Sequence, residues 1–221
     1  MALAWSGRAN HEAGRMSRAG TNQNGTSIAR VRIELADVEP KVVRVLEVPV
    51  ALRLDRLHLA IQAAMPWGNR HLYQFEAGGT RWEMPDPEPG WNQDAYPTAK
   101  ATLADLIKAS DAATADGPTV SYTYDFGDDW HHVLTIEATD EPVPGHLYPR
   151  MVEIEGRCPP EDVGGPPGYE HFLNAIADPD HPEHDDMIAW HGEPFDHATP
   201  PADELRLDVL KLGKKWKPRK R

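Results

Sequence analysis

The chain has 221 residues, of which 40% are hydrophobic and 26% are charged, which is the usage of an ordinary globular protein. This length suits one well-cored domain. The single cysteine, Cys158, excludes an internal disulfide and indicates a reducing compartment. Because the sequence shows neither a signal peptide nor an apolar run approaching the roughly 20 residues that span a bilayer, we expect a cytoplasmic protein without a membrane partner.

The formal net charge of −12 is unevenly distributed. Residues 211–221 contain seven basic residues and no acid, so the other 210 residues carry a net charge of −19. This acidic body would repel a nucleic-acid backbone, whereas the basic tail would attract one. The tail is therefore either a solubilising terminus or a nucleic-acid contact. The second interpretation uses Lys214, Lys215, Lys217, Arg219, Lys220 and Arg221.

The N-terminal half predicts a disordered extension followed by strands and a helix. Residues 1–27 show neither a helical nor a strand period. Apolar residues at helical spacing over 53–65 predict an amphipathic helix. Four segments have the pattern of strands and are paired by short connections into two hairpins. They are 31–35, 42–48, 71–76 and 80–83.

The middle of the chain continues this pattern. Residues 85–97 contain four prolines and predict a long irregular loop. Thr102 is a favourable N-cap for a short helix. Alternating residues over 120–124 and 130–136 predict two more strands. Strand alternation places His132 inside the sheet with its apolar neighbours.

After Pro142 the pattern becomes helical. Residues 156–168 hold four prolines and four glycines and predict irregular structure. Apolar stripes at helical spacing follow, and they lie over 169–176, 184–191 and 205–212. We therefore predict an α+β fold with a single two-layer domain, an antiparallel or mixed sheet with helices on one face and a helical C-terminal portion. The predicted parts are an extension at 1–27, a domain at 28–212 and a basic tail at 213–221.

The turn between the last two predicted strands concentrates carboxylates. Asp125, Asp128 and Asp129 lie within five residues and are followed by His131. Oxygen ligands with a nearby histidine are suited to a divalent cation. Asp and Gly are also the residues that a tight turn prefers, so a purely structural role remains an alternative.

A second candidate is the stretch that runs from Cys158 through two prolines to Glu161 and Asp162. A rigid corner presents the two carboxylates, and the glycine pair that follows permits close approach of a ligand. Cys158 would serve as a nucleophile if a histidine met it in space; the alternative is a small buried hydrophobic residue. Neighbouring aromatic residues complete a predicted concave binding surface. Its residues are Trp130, Cys158, Gly164, Gly165 and Tyr169.

The segment 181–186 mixes histidines with carboxylates, the ligands of zinc and manganese. Its spacing matches no strong metal motif, and Pro182 among acids is typical of a helix N-terminus, which we favour. The sequence contains no P-loop, dinucleotide fingerprint, nucleophile elbow or paired cysteine motif. A nucleotide enzyme of a common class is therefore not expected.

Several stretches match a known family pattern across about residues 28–210. They are Leu57 to Gln62 with Trp67, His71 to Phe75, Tyr124 to His132, Cys158 to Asp162, Gly164 to Tyr169, Asp178 to Trp190, and Phe195 with Asp196. Together they resemble the plasmid pRiA4b ORF-3-like family, also described as TnpR-like passenger proteins of insertion elements. The resemblance implies a compact α+β fold found in bacteria and on mobile elements, with no assigned activity. Val163 stands where the family often has a second cysteine, which argues against a cysteine-pair metal clip or redox couple.

Three functions follow as hypotheses. The first is a non-enzymatic binding or accessory protein, linked to mobile elements, whose open aromatic surface takes a protein or small ligand. The second is a metal-dependent hydrolase or nuclease in which at least three residues of the Asp/Glu/His cluster converge on one divalent metal. That cluster is Asp125, Asp128, Asp129, His131, Glu161 and Asp162. The third is nucleic-acid association through the basic tail.

Overall fold

The computed structural model describes residues 27–84, 94–110 and 117–217. Within them lie eight strands, five α-helices and a 3-10 turn at Thr98–Lys100. The strands are β1 (Ile28–Leu35), β2 (Val42–Pro49), β3 (Tyr73–Ala77), β4 (Thr80–Glu83), β5 (Tyr96–Pro97), β6 (Thr119–Tyr124), β7 (Trp130–Asp140) and β8 (Arg150–Glu155). The helices are α1 (Leu54–Ala64), α2 (Leu103–Ala109), α3 (Gly165–Ala177), α4 (His184–His191) and α5 (Ala202–Trp216). Parts of the predicted extension, loop and tail, at 1–26, 85–93 and 218–221, lie outside the described residues.

The strands form one sheet in the order β5-β4-β3-β6-β7-β1-β2-β8. The β4–β5 pair is parallel and the other neighbouring pairs are antiparallel, so the sheet is mixed. The predicted hairpins β1–β2 and β3–β4 are confirmed, as is the pairing of β6 with β7. Short connections favour such antiparallel neighbours because parallel strands require a long crossover.

The two faces of the sheet differ in polarity. Along β1, Val31 and Ile33 are buried in the same apolar core as Leu57 of α1 and Phe172 of α3, so the helices cover one face. On the opposite face Arg30 pairs with Glu137 of β7, through a 2.8 Å bond from its Nε, and with Glu153 of β8. The predicted two-layer α+β domain is therefore confirmed.

Arg44 is a fully buried charge on β2. Its Nε donates to the carbonyl of Ala64 at 2.9 Å, and its Nη1 donates to the carbonyls of Val43 and Glu155 at 2.8 and 2.7 Å. Burial lowers the pKa of this guanidinium. The side chain thus ties the last turn of α1, whose carbonyls lack helical partners, to strands β2 and β8.

The capping prediction for α2 is confirmed, whereas the predicted start of α3 is wrong. Thr102 is the N-cap, and Asp105 accepts from its backbone N at 2.7 Å and its hydroxyl at 2.8 Å. Helix α3 begins at Gly165, inside the segment that we expected to be irregular. Pro166 and Pro167 occupy its first turn. The backbone N–H groups of a first turn have no acceptor within the helix, so the N–H that proline lacks costs no helical hydrogen bond there.

Two strands were not predicted, β5 and β8. Strand β5 has only two residues and falls within the predicted loop. In β8 the apolar residues Met151 and Val152 are adjacent, a spacing that breaks strict alternation, although Val152 to Glu155 alternate between apolar and acidic residues. A register shift between Val45 and Leu46 of the partner strand accommodates this spacing as a bulge.

Candidate functional site

A hydrogen-bonded network around Tyr124 joins three parts of the chain. The Tyr124 hydroxyl donates to Oε1 of Glu161 at 2.6 Å, and Oε2 of Glu161 accepts from the backbone N of Gly68 at 2.9 Å. The same hydroxyl accepts from the backbone N of Arg70 at 3.0 Å and of His71 at 3.4 Å. Burial and the bond to Glu161 raise the pKa of Tyr124 to about 12, so the hydroxyl remains a donor. The network holds the backbone that carries His71.

Next to this network, His71 meets two carboxylates from different loops. Its Nε2 lies 2.9 Å from Oδ1 of Asp162 and 3.6 Å from Oδ2 of Asp125. One ligand atom from each of the three residues lies within 4.8 Å of the other two. Asp125 is almost completely buried, whereas half of the Asp162 side chain is exposed. We call His71, Asp125 and Asp162 the triad.

The turn geometry orients the buried carboxylate of the triad. Asp125 has a left-handed φ of 58°, and its Oδ1 accepts from the backbone N of Gly127 at 3.0 Å. Asp162 also has a left-handed φ, of 63°. Asp is among the few non-glycine residues that adopt this conformation, because its short side chain bonds the local backbone.

The ligand types and spacing of the triad suit a divalent cation. One imidazole nitrogen and two carboxylate oxygens are ligands of zinc and manganese. With bonds of about 2.0–2.1 Å, tetrahedral ligand atoms stand about 3.3 Å apart. The distances of 2.9 and 3.6 Å from His71 to the two carboxylates bracket this value. The same contacts form an ion pair when His71 is protonated, so a cation would displace that proton.

Two other residues of the predicted cluster hold the loop and the turn in place. Oδ2 of Asp128 accepts from the backbone N of Gly164 at 3.1 Å, which joins the turn to the loop before α3. Both carboxylate oxygens of Glu161 already accept protein hydrogen bonds. These two residues therefore support the site and are not part of the triad.

The last two residues of the cluster lie outside the triad. Asp129 is exposed and closes the turn through its backbone N, which donates to the carbonyl of Asp125 at 2.6 Å. His131 lies on the opposite face from the buried His132, and its Nε2 is 2.8 Å from the hydroxyl oxygen of Ser121. Of the six residues predicted to cluster, Asp125 and Asp162 belong to the triad, which is one fewer than the three that the hydrolase hypothesis required. The third member of the triad, His71, was not among the six.

His71 is the residue of the triad that the sequence analysis did not include among its candidate ligands, because its segment predicts a strand. The strand begins two residues later, and Tyr73 is paired with Tyr124. The backbone N of Asp125 donates to the carbonyl of Leu72 at 2.9 Å. This register carries His71 to the start of the turn. The signals in the sequence were a histidine at the edge of a strand and its place in the stretch from His71 to Phe75 that matches the family pattern.

The predicted aromatic surface is filled by the protein's own side chains. Trp130 and Tyr169 are each 1% exposed. Trp67 stacks on Trp130 with ring centroids 5.7 Å apart, and its Nε1 donates to the carbonyl of Pro159 at 3.1 Å. Gly165, also assigned to this surface, begins α3. An open surface at this place therefore has no support from the geometry.

Cys158 lies in the core, where its Sγ is 3.9 Å from Sδ of Met65. Burial raises the pKa of this thiol to about 12, although the charge of Arg44 opposes the shift. A thiol that remains protonated is a poor nucleophile. Of the two alternatives for Cys158, the geometry favours a small buried hydrophobic residue over a nucleophile.

The histidine-rich segment before α4 forms a second cluster. Nε2 of His171 lies 2.7 Å from Glu183, and His181 completes a group whose ligand atoms lie within 4.8 Å of one another. However, Nδ1 of His181 accepts from the backbone N of Glu183 at 3.1 Å, which places the proton of the neutral ring on Nε2. His184 contacts the carbonyl of Ala175 at 2.8 Å. These bonds support the interpretation of the segment as the start of a helix.

The basic tail begins inside a helix. Lys214 and Lys215 lie in the last turn of α5, and Lys217 follows it. The remaining predicted contacts lie outside the described residues; they are Arg219, Lys220 and Arg221. Across 27–84, 94–110 and 117–217, no helix combines the length and the apolar character needed to cross a membrane.

Comparisons with known proteins place the chain in a family. It is 39% identical over 191 residues to the uncharacterized protein y4hQ of Sinorhizobium fredii (strain NBRC 101917 / NGR234), covering 86% of this chain and 94% of that protein. A crystal structure of the protein of unknown function MM3350 from Methanosarcina mazei Go1 matches with a TM-score of 0.69 and 29% identity, over 80% of this chain and 97% of that one. The family model for the plasmid pRiA4b ORF-3-like protein matches residues 27–204. The chain belongs to the plasmid pRiA4b ORF-3-like family.

Proposed function

We propose that this chain is a divalent-cation-binding protein and that His71, Asp125 and Asp162 are its protein ligands. The observation that carries the proposal is the convergence of one ligand atom from each residue within 4.8 Å, although the three residues come from separate loops. The nearly complete burial of Asp125 supports it, because a buried carboxylate is stabilised by a cationic partner.

The residues around the triad support a preformed site. Tyr124 and Glu161 hold the backbone of His71, and Asp128 holds the loop that follows Asp162. Such outer partners orient the ligands of a metal and contribute to its affinity. Zinc and manganese fit the ligand types better than calcium, which takes 6–8 oxygen ligands.

A second candidate function is metal-dependent hydrolysis. Three protein ligands leave at least one coordination position for water, as in catalytic zinc sites. Half of the Asp162 side chain is exposed, so a cation held by the triad would be accessible to solvent. A cation held there would lower the pKa of bound water toward neutrality and so supply a nucleophile.

The test of cation binding is isothermal titration of the chain with zinc, manganese and calcium salts. We expect one-to-one binding of zinc or manganese, and a loss of more than about 100-fold in His71→Ala and Asp162→Asn, since outer partners alone contribute about 10–100-fold. Asp129→Asn is the matched control, because this exposed carboxylate belongs to the same turn but lies outside the triad. Equal affinities in all variants, or no binding, would refute the proposal.

The test of hydrolysis uses bis(p-nitrophenyl) phosphate and p-nitrophenyl acetate with and without the bound cation. Turnover that requires the cation and disappears in Asp162→Asn would support the hydrolase. A stoichiometric cation without turnover of either substrate would remove this second candidate and leave the cation-binding function in place.

A further inference from the structure

A pocket of about 380 Å³ lies where the end of α5 meets the start of α1 and the segment before β8. Three cationic residues line it, Arg53, Arg56 and Lys217, and no described lining residue is Asp or Glu. This is unusual in a chain whose formal net charge is −12. The pocket is therefore a local basic site on an acidic protein.

Two of the three cations are available to an anionic ligand. Arg53 donates to both carboxylate oxygens of Asp55, at 3.0 and 2.6 Å, so its charge is offset. Arg56 and Lys217 form no ion pair with any residue of the described ranges, and Lys217 is exposed. An anion that enters the pocket would meet these two uncompensated charges.

The rest of the pocket is aromatic and apolar. The guanidinium of Arg56 lies 5.4 Å from the ring centre of Trp216. The hydroxyl of Tyr148 accepts from the backbone N of Val143 at 3.1 Å, which holds its ring in place at the wall. Pro49 and Leu52 also line the pocket. The ligand should therefore combine a negative charge with a flat apolar group.

Close packing of α5 builds this pocket. A Cβ added at Gly213 would lie 3.2 Å from the carbonyl oxygen of Pro149. The glycine therefore allows α5 to lie close to the backbone just before β8. Trp216 and Tyr148 both line the resulting pocket. Aromatic side chains beside cations are the common means of binding single-stranded nucleic acid, because bases stack and phosphates pair with cations.

We propose that this pocket binds one nucleotide unit of a single-stranded nucleic acid. The phosphate pairs with Arg56 and Lys217, and the base packs on the aromatic and apolar lining. The volume of about 380 Å³ lies within the range of small-ligand sites and is too small for a base pair with its backbone. The acidic body disfavours further phosphate contacts, so binding is modest in affinity and only weakly dependent on salt, as expected for one phosphate contact. This proposal is independent of the triad and of its cation.

The experiment is fluorescence anisotropy of a labelled oligothymidylate of about 12 nucleotides, titrated with the full chain between about 50 and 200 mM salt. The variant Arg56→Gln with Lys217→Gln should bind at least about tenfold more weakly, and its logarithmic salt slope should be about 0.7 units shallower, because one phosphate contact is lost. Lys211→Gln is the matched control, since this lysine lies in the same helix but pairs with Asp208 at 2.6 Å. It should bind like the unmodified chain.

Three results would overturn the proposal. The first is an equal loss in Lys211→Gln, which indicates unspecific attraction. The second is a loss on truncation after Lys217 that the double variant does not reproduce. The third is equal binding of duplex DNA or of thymidine monophosphate, which would identify a different ligand. Should the double variant melt early, Lys217→Gln alone carries the test, with weaker binding and a slope change of less than about 0.7 expected, since Arg56 still contacts the phosphate.

Discussion

The hydroxyl of Tyr124 lies 2.6 Å from Oε1 of Glu161 and donates a hydrogen bond to it, so that strand β6 is joined to the loop before α3. The same oxygen accepts from two backbone N–H groups, one of which belongs to His71. A single phenol therefore stabilises the fold and positions a ligand of the proposed cation. Substitutions at this point should affect stability and cation affinity together.

We expect Tyr124→Phe to lower the free energy of unfolding by about 1–3 kcal/mol, because it leaves polar groups without their partner. Urea unfolding followed by circular dichroism measures the change. Tyr96→Phe is the control, since Tyr96 is 61% exposed and its loss should change the free energy by less than about 0.5 kcal/mol. Equal effects of the two substitutions would contradict the role assigned to the Tyr124 hydroxyl.

Gly165→Ala should be strongly destabilising. Gly165 has a φ of +69°, and an added Cβ would lie 2.3 Å from the carbonyl oxygen of Asp128. Gly192 has a similar φ of +81° but no atom within 4 Å of such a Cβ, so Gly192→Ala measures the backbone cost alone. We expect the unfolding free energy of Gly165→Ala to fall below that of Gly192→Ala by about 1–3 kcal/mol, the cost of an overpacked site. If Gly165→Ala and Gly192→Ala had equal urea midpoints and slopes, the turn and α3 would be less tightly packed than the structure indicates.

Stability should decrease as the pH falls below about 6.5, because two histidines are buried in the neutral form. Burial lowers the pKa of His58 to about 4 and that of His132 to about 3. The unfolded chain, with an ordinary pKa of about 6.5, binds these protons first. The stabilisation is therefore complete above pH 6.5 and is lost toward pH 4 and 3, at about 1.4 kcal/mol per pH unit for each histidine.

Urea unfolding at several pH values between about 7.5 and 4 measures this slope. His58→Gln should make it shallower, since one titrating group is removed, while the exposed His146 provides the control His146→Gln. A slope that His58→Gln leaves unchanged would mean that His58 has the same pKa in the folded and the unfolded chain.

The thiol of Cys158 should not react with Ellman's reagent in the native protein at pH 8. Its burial and its raised pKa, about 12, leave little accessible thiolate. We expect one thiol per chain to react with the reagent in concentrated urea. Under native conditions the reaction should be no faster than the unfolding of the chain. Rapid stoichiometric labelling of the native chain would show that the loop opens readily.

Residue patterns alone predicted most strands of the sheet and which of their side chains are buried. Strict alternation marked β1, β6 and β7, and it placed His132 inside because side chains of a strand alternate between faces. Apolar spacing located α1 within two residues at each end. Strand β8 was not predicted, because a bulge interrupts the alternation of its residues. Helix α3 begins earlier than predicted, because prolines are tolerated in the first turn of a helix.

The proposed sites depended on long-range pairing. The sequence identified Asp125 and Asp162 as carboxylates in loops, and it identified the basic C-terminal segment. Only the register of β3 against β6 brought His71 to those carboxylates, and only the packing of α5 brought Trp216 to Arg56. Local patterns determine which face of an element is buried, because burial depends on the period of one segment. Which loops meet depends on strand order and register, which no single segment contains.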